Sequence, residues 1–320
     1  MGENRISNVQ AAAQLPLSKL LSRAETDVSY RASLASELRP LTGRSHVIGI
    51  TGSAGVGKSS IISKLTQLFR SEDHRVGILS VDPSSPLTGG ALLGDRIRMS
   101  NHYLDDGVFI RSLATRGQLG GLSSAIHIAL SILDVAGYDV ILIETVGTGQ
   151  ADVDLGYIAD TVVLVLLPDS GDTIQFLKAG SLETADIYVI NKADRGNSGR
   201  VVAELKTTLG LNNPYSEDEL IILETSAITD NDSGIFQLGQ ELDRIHGRWI
   251  KDDSLRAHRE AKLKGRLLAG IRHAIVSQAL GSQQANMVTT NLLESIQLGE
   301  IDIETAISTA VEKLWTHPDR

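Results

Sequence analysis

Between His46 and Thr225 the apolar residues come in short runs rich in Val, Ile and Leu. They are HVIGIT from His46, RVGILSVD from Arg75, VFIRS from Val108, DVILIET from Asp139, TVVLVLLP from Thr161, IYVIN from Ile187 and ELIILET from Glu219. Near-continuous apolarity, rather than strict alternation with polar residues, marks strands covered on both faces. Stretches with helical spacing fall between many of these runs, notably Ser59 to Phe69, Leu122 to Ala136 and Gly199 to Leu209. The alternation predicts an α/β fold, a mostly parallel sheet with helices on both faces. Ahead of it, residues 8–42 read as helical, with Ala11 to Ala13, Leu15, Leu20 and Leu21 as the apolar stripe. Pro16 divides that stretch and Pro40 ends it. From Lys251 the β texture stops. LRAHREAKLKGRLLAGIRHAIVSQAL has helical spacing, and two shorter helical segments follow near 286–297 and 301–315, parted by Gly299. The expected organisation is a helical N-terminal arm over 1–44, an α/β domain over 45–250 and a helical C-terminal arm over 251–320.

Composition narrows the classes of function. At 42% hydrophobic and 22% charged residues the 320-residue chain is ordinary globular material, which excludes global disorder. Aromatics are 4%, so the core is aliphatic. A net charge of −9 with no long basic run argues against sequence-independent nucleic-acid binding. The absence of cysteine excludes disulfides, cysteine-ligated zinc, iron–sulfur clusters and thiol nucleophiles, and fits a cytoplasmic location. No run of about 18 apolar residues exists, so no membrane-spanning helix is expected. The MGENRIS start lacks an apolar signal segment. Gly2 does not make a myristoylation site, because position six is Ile6. The eight histidines are scattered without ligand spacing and read as structural or solvated.

The chemistry begins at GSAGVGKS, residues 52–59, which fits G-x-x-x-x-G-K-S between a strand and a helix. In that context Gly52, Ala54, Gly55, Val56 and Gly57 offer backbone N–H groups that wrap a phosphate, with Ser60 on the opening turn of the helix. Lys58 reaches the β- and γ-phosphate oxygens, and Ser59 ligates Mg²⁺. NKAD, residues 191–194, closes a second strand. Asp194 can accept from both N1–H and N2–H₂ of guanine, a donor pair that adenine lacks, so a site built on it can discriminate by orders of magnitude. Lys192 lays its stem along the base and Asn191 ties loops together. SAI follows the next strand, with Ser226, Ala227 and Ile228, and the Ala227 N–H can meet guanine O6. These three elements in this order select GTP over ATP. Glu144 in ETVG stands where a carboxylate for the metal belongs, and Asp82 in SVDPSS and Asp95 in GDRIRM are further candidates.

Five ordered strings give the chain a family resemblance: GITGSAGVGKSS, VDPSSPLTGGALLGDRIRM, FIRSLATRGQLGG, ETVGTGQADVD and GDTIQFLKAGSLETADIYVINKAD. Together they closely resemble the MeaB/ArgK GTPases, over about residues 10–250. That resemblance implies a P-loop NTPase fold, GTP and GDP with Mg²⁺ as bound species, and a homodimer. It also implies chaperone action on an adenosylcobalamin-dependent acyl-CoA mutase; the charge and the lack of a long apolar run lead to the expectation of no nucleic-acid or membrane partner. It implies that Ser59, Asp82, Asp95 and Glu144 surround the metal, and that Lys58 and Glu144 act in hydrolysis. Gln175 and Lys178 in GDTIQFLK correspond to a third switch that reorganises on the mutase. The chain departs from the family in SLATRGQLGG, which lacks a proline-containing form, and in its WTHPDR end. The resemblance leaves the client open between methylmalonyl-CoA mutase and a relative such as a hydroxyacyl-CoA mutase. The competing class is a nickel-type maturation GTPase, but such proteins use Cys- or His-rich metal motifs.

Overall fold

The computed structural model describes residues 16–82, 102, 104–114, 125–145, 154–168, 182, 184–212, 220–226, 233–280, 283–298 and 300–315. Each of the seven apolar runs forms a strand: β1 (His46–Thr51), β2 (Val76–Asp82), β3 (Val108–Ala114), β4 (Val140–Thr145), β5 (Thr161–Leu166), β6 (Ile187–Asn191) and β7 (Ile221–Thr225). They join one sheet in the order β3-β2-β4-β1-β5-β6-β7. All six pairings are parallel. The chain leaves β1 for β2 and β3, returns to β4 at β1's side, and then crosses to β5. β1 is therefore central, and the crevice at its carboxyl end is where ligands bind in open sheets of this kind.

The described helices are α1 (Leu17–Thr26), α2 (Val28–Leu38), α3 (Lys58–Ser71), α4 (Ile126–Val135), α5 (Ser198–Asn212), α6 (Ser233–Lys251), α7 (Leu255–Leu280), α8 (Gln283–Gln297) and α9 (Ile303–Trp315). Pro16 stands just before α1, and Pro40 lies in a 3₁₀ turn after α2. The break between α1 and α2 falls at Asp27, whose carboxylate accepts from the Tyr30 N–H at 2.9 Å and so caps α2. α6, 19 residues long, follows β7.

Both faces of the sheet are covered. On one face Leu20, Leu21, Leu34 and Leu38 of α1 and α2, with Ile126, Ile132 and Leu133 of α4, pack against Leu79, Val81, Ile141 and Ile143. On the other, Ile61, Ile62, Leu65 and Phe69 of α3 and Leu238 and Leu242 of α6 cover Ile48, Ile50, Ile78 and Leu142. α5 covers Leu164, Leu166, Tyr188 and Ile190. The chain forms two compact units, residues 1–262 and 263–320. In the second, α8 packs against α9. Among the described residues no helix is long and apolar enough to cross a membrane.

A polar cluster closes the amino ends of the strands. Asp160, just before β5, is buried and accepts from the Val47 N–H at 2.9 Å and from Arg259 of α7 at 2.7 and 2.6 Å. Burial alone would raise its carboxyl, but the Arg259 bonds and charge hold it below the usual carboxylate range. Lys262 donates to the carbonyls of Ala159 and Asp160 at 2.7 and 3.0 Å. His46, the first residue of β1, stacks on His246 with ring centres 4.2 Å apart and pairs its Nε2 with the Thr161 hydroxyl. Burial, then the neighbouring His246, push the His46 imidazole down to about 3.

Acidification is therefore expected to erode stability. His46 stays neutral in the fold down to about pH 3 but takes a proton near 6.5 when unfolded. Its contribution is whole above pH 6.5 and is lost as the pH falls from 6.5 toward 3. One proton of linkage is worth at most about 1.4 kcal/mol per pH unit. Urea midpoints from neutral pH downward should fall more steeply for the wild-type chain than for His46→Gln. Parallel slopes would remove His46 as the responsible group.

Candidate functional site

The loop after β1 takes its shape from glycine. Gly52 and Gly57 have φ of 141° and 102°, left-handed values that L side chains avoid. Space forbids a side chain as well: a Cβ would lie 2.3 Å from the Val165 carbonyl oxygen at Gly52, and 2.2 Å from the Asn191 amide nitrogen at Gly57. Gly57 caps α3, so the first N–H groups of that helix open onto the loop. Lys58 is the first residue of the helix and is buried; its Nζ donates to the carbonyls of Gly52 and Ser53 at 2.7 and 2.9 Å. The charge of Lys58 thus lies against the loop backbone, in a ring that could wrap a phosphate. Val56 is buried beneath the loop, while Ala54 and Ser60 are exposed.

Ser59 donates its hydroxyl to Oε1 of Glu144 at 2.7 Å. Glu144 sits on β4, in register with Ile50 of β1, and is only 7% exposed. One residue further along, the buried Thr145 hydroxyl donates to the Thr51 hydroxyl at 2.9 Å. Thr51 immediately precedes the phosphate loop, so this bond fixes the loop's entry against the end of β4. Ser59 and Glu144 supply hard oxygen donors on adjacent elements, the kind of set that holds Mg²⁺ with help from substrate phosphates and water. Such an ion, when bound, neutralises phosphate charge during transfer. Asp82 ends β2 at the same edge of the sheet, beside Ala114 of β3. Asp95 lies outside the described residues.

The NKAD loop lies alongside. Asn191, the last residue of β6, is buried and donates its Nδ2 to the Val56 carbonyl at 2.7 Å. Its Oδ1 accepts from the Thr225 hydroxyl at the end of β7, at 3.1 Å. Lys192 has a left-handed backbone (φ 60°), and its Nζ donates to the Gly55 carbonyl at 2.8 Å. Its stem therefore bridges the base loop and the phosphate loop. Asp194 accepts from the Ser226 hydroxyl at 2.6 Å. Lys58, Ser59, Glu144, Asn191, Lys192, Asp194 and Ser226 are thus gathered at the carboxyl ends of the strands. Gln175, Lys178, Ala227 and Ile228 lie outside the described residues. Sequence reasoning missed Thr225 and the Thr51–Thr145 pair. The one available signal was that each threonine closes a strand that leads into a motif.

A parallel sheet with a phosphate loop on its central strand, a carboxylate on the adjacent strand and an NKAD loop beyond defines a P-loop GTPase. The family profile described as "Methylmalonyl Co-A mutase-associated GTPase MeaB" matches residues 17–285. The chain belongs to that family. It is 45% identical over 252 residues to a putative GTPase of Pyrococcus horikoshii, covering 77% of this chain and 78% of that one. It is 38% identical over 178 residues to the mitochondrial methylmalonic aciduria type A homolog of Mus musculus, covering 56% of this chain and 42% of that one. Its fold is similar to a crystal structure of a LAO/AO transport system kinase, with a TM-score of 0.71 at 21% identity over 98% of both chains.

Proposed function

We propose that this GTPase is a chaperone of an adenosylcobalamin-dependent acyl-CoA mutase, either methylmalonyl-CoA mutase or a relative such as a hydroxyacyl-CoA mutase. GTP binding and slow hydrolysis gate cofactor loading and protect or reactivate the client. The observation that carries this reading is the match to a mutase-associated family over residues 17–285. It favours a mutase client over nickel delivery. In this reading Lys58 and the amino end of α3 hold the phosphates. Ser59 and Glu144, joined by Asp82 and Asp95, hold Mg²⁺. Asp194 reads guanine, with Ser226 orienting its carboxylate and Ala227 and Ile228 lining the base. Gln175 and Lys178 supply the part of the machinery that waits for the client. The compartment is the cytoplasm.

The second unit supports self-association. Leu263, Leu267 and Ile271 recur at every fourth residue of α7, and Ile303, Ile307 and Val311 do the same on α9; all six are strongly exposed. Apolar stripes of this kind call for a covering partner, and a second copy of the chain supplies one.

Three measurements test these statements. Phosphate release from GTP should be slow for the purified chain and rise when an adenosylcobalamin-dependent acyl-CoA mutase is added. No rise with either candidate mutase would end the chaperone reading. Asp194→Asn should weaken GTP by about 10- to 100-fold, the loss of a charge-assisted acceptor, and gain affinity for xanthosine triphosphate. An unchanged GTP affinity would remove Asp194 from the base site. In sedimentation at micromolar concentration the chain should run as a dimer, with or without nucleotide, and a monomer would refute the arm assignment.

A further inference from the structure

Ser80 is the polar exception in the apolar run of β2. It is fully buried, and its hydroxyl has no hydrogen-bond partner among the described residues. A buried hydroxyl without a partner is disfavoured, and alanine would suit the same place on a strand at no such cost. Its position in the sheet gives the hydroxyl a use. Ser80 is in register with Glu144 across the β2–β4 pair. Residues in register on neighbouring parallel strands point to the same face. That face is the one under α3, because Ile78 and Leu142, two residues back on each strand, pack there with Ile61 and Leu65. Leu79 and Ile143 pack on the opposite face. The helix whose first turn sends the Ser59 hydroxyl to Glu144 therefore covers the row in which Ser80 stands.

We infer that Ser80 is a positioning residue for the metal site, acting on Glu144 through a bound water. Mg²⁺ gives up its water reluctantly and keeps several when bound by proteins. Those waters, and the carboxylate that faces them, need further acceptors and donors in a buried setting. A water between the two can accept from the Ser80 hydroxyl and donate to the Glu144 carboxylate, so one small group orients both the water and the carboxylate. This inference rests on the proposed GTP and Mg²⁺ site and gives a role to the first residue of SVDPSS, a string read above only for Asp82.

The test measures the Mg²⁺ requirement for retaining fluorescently labelled GDP, with the full chain, for wild type and Ser80→Ala. Affinity in excess chelator and melting temperature without nucleotide are measured alongside. Wild type should release GDP more slowly as Mg²⁺ rises. Ser80→Ala should need about tenfold more Mg²⁺ for the same retention, the scale on which groups behind a ligand act. Its chelator-state GDP affinity should match wild type, and its melting temperature should be equal or higher. An unchanged Mg²⁺ requirement overturns the inference. So does a loss of GDP affinity in chelator, which would make Ser80 a packing residue. If wild type itself shows no Mg²⁺ dependence, the metal reading fails first and takes the Ser80 inference with it.

Discussion

The Asn191 carboxamide can donate to the Val56 carbonyl only because residue 57 carries no Cβ. A methyl group at Gly57 would stand 2.2 Å from that amide nitrogen. The same carboxamide accepts from Thr225, so one buried side chain joins the phosphate loop to the ends of β6 and β7. Much else in the site follows from that spacing. The loop must turn through left-handed backbone at Gly57 to start α3, which sets Lys58 against the carbonyls of Gly52 and Ser53 and Ser59 against Glu144. The distance from the phosphate loop to Asp194 is then fixed by strand pairing rather than by flexible loop. In the proposed site a nucleotide spans that distance, and a site so built measures the ligand's length as well as its charge and its base edge.

The opposite end of the sheet shows why perturbed ionisation is a poor guide here. Burial pushes His46 and Lys262 down and Asp186 up. By that measure alone the amino ends of the strands resemble an active site. Their hydrogen bonds give a different account. Asp160 spends its oxygens on Val47 and Arg259, Asp186 accepts from the Val162 N–H, and Lys262 caps two carbonyls. Each charge serves strand starts or the beginning of α7. These groups hold the frame together, and the proposed site lies at the other end of the sheet.

Much of this was legible in the chain because it is local. Seven aliphatic runs became seven strands, since a run covered on both faces needs no partner named to be recognised. The phosphate loop and NKAD were legible because each function sits in consecutive residues. Pairings between distant segments were not. Arg259 and Asp160 stand 99 positions apart, and no local pattern links a helix arginine to an aspartate before a strand. Asp27 reads as one more polar residue until the chain is seen to bend there. Ser80 reads as a minor interruption in β2 until its register with Glu144 is known. The gathering of Ser59 with Glu144 depended on β4 returning to β1's side, which is a property of topology.

The strengths of these contacts are unevenly distributed between the two ends of the sheet. Breaking a buried ion pair such as Arg259 with Asp160 by removing one partner costs about 3–5 kcal/mol, because a charge is left without compensation. A neutral hydroxyl or amide bond contributes about 1 kcal/mol net, since water competes for the same groups. The strong pair lies at the amino ends of the strands. The contacts at the carboxyl ends include Thr145 with Thr51, Asn191 with Val56, and Thr225 with Asn191, all neutral. The charged contacts there, Lys58 and Lys192, are to neutral carbonyls, and Glu144 and Asp194 accept from neutral hydroxyls. None of these contacts pairs two opposite charges, so each is weaker than the Arg259–Asp160 pair and more readily exchanged for other bonds. The contacts at the carboxyl ends can therefore be exchanged while the buried ion pair at the amino ends holds the frame.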